Sequence, residues 1–354
     1  FYFIGVGLPH IRERTDELRD WIGEEQPQII RSRPHNFLRE PPKQVPEVLE
    51  RTKFSMWFAY LEGVKFAVTF EIPYTQRNCP LDIGLARLYG RATLRAWAHC
   101  DSGNDGLLDF RKEFAAEYKS QPAAAEAKAQ TLLDDPNTTA LLQIEARVSL
   151  GLLRLRQRQF AEAIELFESV QADEATPVQF QTAEAQRAIS ICRNPDSTHD
   201  EVVGAINRFD QIPFSSPTVR FEVYGAAYDF FEHDGDELHA LDFAALQLPN
   251  ASKYQRGATL NRMARWQEKV EGSEQAQRSR RLAVEHLRKE LDPVPVGSFG
   301  ALMGRDLFEA LQGLPESTIE EKSAAAEIVF THKVASQKMK DEIRAALEGE
   351  EKNP

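Results

Sequence analysis

Glu71 is the residue of this 354-residue chain whose type and setting come nearest to chemistry. It lies near the end of the run 65–72, where Phe66, Val68, Phe70 and Ile72 alternate with Ala67, Thr69 and Glu71. That period of two predicts a half-buried strand, and Pro73, with no N–H to donate, stops the ladder. A carboxylate at the carboxyl end of a strand sits where open α/β sheets bind ligands; the competing reading is a solvated glutamate outside any site. Tyr60 and Tyr74 flank it, and Arg77-Asn78 follows in a loop, but core packing and a solvated turn explain these residues as well. Cys79, Cys100 and Cys192 are too few for a disulfide framework and lack metal-ligand spacing. A cysteine nucleophile needs a matched histidine base, and His99, beside Cys100 on a helix, points elsewhere. Gly5-Val6-Gly7 lacks the third glycine of a dinucleotide fingerprint. The run Glu232-His233-Asp234-Gly235-Asp236-Glu237 lacks the alternating oxygens and distal glutamate of a calcium loop, and suits a turn between two helices.

The elements that must position these groups fall into two parts, as ~100–200 residues per domain suggests. Hydrophobic residues at 42% and charged residues at 28% are a globular balance. No apolar run approaches the ~18 residues of a membrane span, and a net charge of −12 argues against nucleic-acid binding. Residues 1–100 are near neutral, with 14 basic against 12 acidic, so the negative charge belongs to the remainder. The first part reads as α/β. Residues 1–6 suit a buried strand, 15–22 and 45–61 carry helical spacing, Gly63 ends the second of these helices, and 82–99 form another. A chain that opens within a strand is expected to have lost what preceded it. The Asp/Ser/Gly/Asn cluster at 101–106 is loop chemistry and marks the boundary.

From 107 to 354 the period is helical. Residues 142–158 and 160–170 pair across a tight polar turn, with Leu150-Gly151 followed by Phe160, Ala163 and Phe167. Small residues let two helices approach and the aromatics fill the space between them. The pattern resembles the tetratricopeptide repeat, with Arg154 where that repeat usually has an aromatic. Ala205 and Phe209 echo Ala163 and Phe167 at an interval of 42, longer than the usual ~34. Residues 224–248, with Gly225, Gly235, Ala240 and Ala244 before Pro249, form a third candidate, and 258–291 a fourth. Residues 319–348 read as one long charged helix and 348–354 as a frayed tail. The resemblance implies stacked helical hairpins that bind peptides or partner proteins. The acidic charge would suit a basic partner, though a charge excess is more often a solvated surface.

The ordered series in 54–97 is similar to the closing stretch of the M14 zinc carboxypeptidase family. It runs from a helix through Gly63-Val64, Thr69-Phe70-Glu71 and Pro73-Tyr74 to a final helix carrying Gly90. The likeness covers about residues 1–100. It implies an N-terminally truncated α/β carboxypeptidase-like sheet with flanking helices, followed by the all-α, tetratricopeptide-like domain. It also implies that Glu71 is a catalytic general base, taking a proton from zinc-bound water and passing it to the leaving amine. Zinc would be the cofactor and a peptide or peptide-like chain the substrate, cleaved at a carboxyl-terminal peptide or amide bond. The family's ligands are His-x-x-Glu and a later His. His10-Ile11-Arg12-Glu13 has that spacing, but only 61 residues separate His10 from Glu71 and His35 lies closer still. No ligand is therefore assigned in this chain; all three are expected upstream of Phe1, leaving the fragment inactive. Two other readings compete: a protein-binding helical scaffold beside a degenerate catalytic domain, and an amidase or deacylase of the same fold.

Overall fold

The computed structural model describes residues 106–351 except 213, 214 and 296, and before them 2–5, 20–21, 68–71, 75–76, 79–80, 94–96 and 98. β1 (Tyr2–Gly5) pairs antiparallel with β2 (Val68–Glu71), from Tyr2 opposite Glu71 to Gly5 opposite Val68. β3 (Thr75–Gln76) pairs antiparallel with β4 (Cys79–Pro80) in a separate ladder. The α/β carboxypeptidase-like sheet expected over 1–100 is thereby corrected. Among the described residues there is no such sheet, and the fold is helical. The reason is physical. Alternation reports extended backbone locally, and any two such runs can form an antiparallel ladder. A wound sheet needs parallel neighbours joined by crossover helices, which no local pattern specifies.

Thirteen α-helices follow among the described residues, and the chain divides into two compact units. The first unit comprises residues 1–194 and 208–216. It holds α1 (Gly106–Ser120), α2 (Pro122–Asp134), α3 (Ala140–Arg156), α4 (Phe160–Glu168) and α5 (Pro177–Arg193). Proline opens α2 and α5, where its missing N–H is harmless. Thr176 and Gln179 form a full capping box on α5. One apolar cluster joins Phe110 and Phe114 of α1 to Ala125, Ala129, Ala146 and Leu150. Another gathers Ile144, Val148, Ala163, Phe167, Val170 and Ala183. Gly151 sets the closeness of α3 to α4: a Cβ there would lie 2.6 Å from the Phe167 ring. Arg154 of α3 reaches Glu126 at 2.7 Å and Glu162 at 2.9 Å. Its hydrogen bond holds the Glu126 carboxyl below the usual carboxylate range.

The second unit comprises residues 195–207 and 217–354. It begins with 199–207 of α6 (His199–Asp210) and continues through α7 (Pro217–Asp234), α8 (Glu237–Gln247) and α9 (Arg256–Val270). α10 (Ser273–Glu290), α11 (Ser298–Gln312), α12 (Ile319–Thr331) and α13 (Gln337–Glu351) complete it. Within the 232–237 run Gly235, at φ +77°, and Asp236, which caps α8, make the turn between α7 and α8. The single helix expected over 319–348 is corrected to two. Ser336 Oγ accepts from the Met339 N–H and starts α13 afresh. The break lets Ile343 return to the cluster that holds Val329 and Leu307, where it is buried; a straight helix would carry it away. Close approach through glycine recurs at Gly257, where a Cβ would lie 2.5 Å from the buried Leu287 side chain. Gly257→Ala is expected to destabilise the second unit by about 1–3 kcal/mol through overpacking, read as a lower urea midpoint with an unchanged slope.

Candidate functional site

α1, α3 and α5 line one open groove of about 270 Å³ in the first unit. Each contributes one face. On α1 the lining residues are Arg111, Phe114, Ala115 and Tyr118, and on α3 Glu145, Val148, Ser149 and Leu152. Both sets follow the three-and-four spacing that stacks side chains on one side of a helix. α5 adds Val178, Gln179 and Thr182. Phe114 and Val148 are buried below the groove, while Ala115 is exposed at its lip.

The groove has a polar end. Arg111 donates to Glu145 through Nε at 2.8 Å and Nη2 at 2.6 Å, a fork on a carboxylate that is itself buried. Gln179 Nε2 donates to the same carboxylate at 3.0 Å and to the Leu141 carbonyl at 2.9 Å. Its Oε1 accepts from the Thr176 N–H at 3.0 Å, completing the α5 capping box. Every polar atom of the Gln179 side chain is thus engaged, as its near-complete burial requires. Arg111, Glu145 and Gln179 stand at intervals of 34 residues on α1, α3 and α5, and their side chains bond to one another.

The opposite end is aromatic and cationic. Phe114 and Tyr118 rings lie 5.7 Å apart. The Arg156 guanidinium stands 5.2 Å from the Tyr118 ring centroid, and its Nη1 donates to the Tyr118 carbonyl at 2.6 Å. Such a surface can hold apolar side chains and present a cation.

Sequence reasoning did not single out these residues. Thr176-Pro177-Val178-Gln179 does carry a capping signature. Of the residues that reasoning did single out, Glu71 ends β2 opposite Tyr2, and Cys79 lies in β4 opposite Gln76. His10, Glu13, His35, Tyr60, Gly63, Tyr74, Arg77, Asn78, Gly90, His99 and Cys100 lie outside the described residues. Glu71 therefore ends a two-stranded ladder, not a strand of the wide sheet whose mouth would bring a base and a metal together. Cys192 is buried and free of disulfide. Among the described residues no three His, Cys, Asp or Glu side chains are grouped to hold a metal ion, and no helix is long and apolar enough to cross a membrane. No known protein family, curated protein or solved structure matches this chain.

Proposed function

We propose that the helical region works as a binding scaffold and that the α1–α3–α5 groove takes an apolar segment of a partner protein. One observation carries the reading. Three helices converge on an open apolar groove whose charges, the half-buried Arg111 and the buried Glu145, already neutralise each other. Apolar side chains entering it would displace water from Ala115, Tyr118 and Leu152 at roughly 25 cal/mol per Å². They would leave the Arg111–Glu145–Gln179 bonds intact.

The test is a plug. Ala115 is exposed, so Ala115→Trp fills the groove without entering the core. Peptides enriched on the wild-type protein from a random library should be rich in apolar side chains. They should bind Ala115→Trp at least about tenfold more weakly, a difference of roughly 1.4 kcal/mol, with the thermal midpoint unchanged. Equal binding to both proteins would remove the groove as the site.

A further inference from the structure

The two ends of the groove differ in how their cations are used. At one end both Nε and Nη2 of Arg111 lie on Glu145. On α3, Arg154 likewise reaches two carboxylates. Arg156 is different. It stands four residues past the groove residue Leu152, hence one turn further along the same face. It is exposed, and the partners the structure gives it are a carbonyl and an aromatic face. A guanidinium has five N–H donors in a fixed fork. The Tyr118 carbonyl engages Nη1, which leaves the Nε–Nη2 edge to take a carboxylate in two parallel bonds. Arg111 to Tyr118 spans seven residues of α1, about 10 Å at ~1.5 Å per residue. That length holds two or three partner side chains before Arg156 is reached. The groove is open, so a segment can run through it; nothing in its lining calls for a chain terminus.

We propose that the partner segment carries an Asp or Glu side chain directly after its apolar residues, and that Arg156 receives that carboxylate. This rests on the groove reading above and adds the charge and its place in the segment. The basic partner that the chain's overall acidity suggested is thereby replaced, at this surface, by an acidic one. Local charge at the contact governs recognition more than the net charge of the chain.

The test uses two end-blocked peptides that differ only in Leu-Phe-Glu against Leu-Phe-Gln, measured by fluorescence anisotropy against the full chain. The Glu form should bind wild type about fivefold more tightly, as a partly exposed charge-assisted pair contributes about 1 kcal/mol. Arg156→Gln should abolish the difference, so that the Glu and Gln peptides bind that variant equally, and Arg156→Lys should restore part of it. Equal binding of the two peptides to wild type, both weakened by Ala115→Trp, would overturn the carboxylate inference and keep the groove. Loss of the Gln peptide with Arg156→Gln would also overturn it, showing that Arg156 only supports Tyr118. Binding of both peptides untouched by Ala115→Trp, or binding of neither, would overturn the groove itself.

Discussion

Replacing Phe167 by Ala is expected to lower the stability of the first unit by about 3–5 kcal/mol, the range for emptying a buried aromatic site. The ring is fully buried and lies against Gly151, with Ile144, Val148, Ala163, Val170 and Ala183 in the same cluster. Collapse into the space is hindered where the ring meets α3 at Gly151, which has no side chain to move in. Gly151→Ala attacks the same contact from the other helix, driving a methyl to within 2.6 Å of the ring. That overpacking should destabilise by about 1–3 kcal/mol. The decisive measurement is the double variant Gly151→Ala with Phe167→Leu, followed by urea unfolding. The smaller side chain gives the methyl room, so the double variant should lose less than the two single changes added together. Simple additivity would mean that the glycine does not set the spacing of α3 and α4.

The second large effect is at Asp306, buried in the second unit with its carboxyl pushed up to about 6 by loss of water. Arg305 Nη2 donates to it at 3.0 Å and opposes the shift, as does the charge of Arg262, while Glu309 reinforces it. The sign follows from proton binding. An aspartate raised above its unfolded value near 3.8 makes the folded state the tighter proton holder. Its ionised form weakens the fold above pH 6, and that penalty is relieved as pH falls from 6 toward 4. About two pH units at 1.36 kcal/mol each amounts to roughly 3 kcal/mol. Asp306→Asn keeps an acceptor for Arg305 and removes the charge. It should stabilise the second unit at pH 7.5 by up to about 3 kcal/mol and come level with wild type near pH 4. The comparison must be made as the difference between the two proteins across pH. Carboxylates held low, such as Glu321 beside Arg288, pull wild type and variant alike in the opposite direction. A constant difference from pH 4 to 8 would reject the assignment.

Helical period was the most legible signal in the chain. It located the α3–α4 hairpin and the importance of Gly151 and Phe167, because a small residue facing an aromatic leaves a recognisable pattern at fixed spacing. The break at 332–336 was less visible: it contains neither Gly nor Pro, and only Ser336 marks the new start. The strand at Val68–Glu71 was readable as extended backbone, yet its partner and the size of its sheet were not. Pairing is a long-range choice that local alternation does not encode. The groove was illegible for another reason. Arg111, Glu145 and Gln179 look like solvated helix residues until three helices bring them together, and their meaning resides in a 34-residue interval.

Gln179 joins two events that would otherwise be separate. Its oxygen starts α5 and its amide holds Glu145 in place. Fraying of a single helical turn would therefore dismantle a floor shared by three helices. The groove's shape is inherited from the nucleation of α5, and its lifetime is that of the α5 first turn. Amide exchange at Gln179 and Phe180 would then serve as a clock for the site. A partner that lengthens those exchange times need not touch α5 at all; it need only favour the state in which that one side chain keeps both its duties.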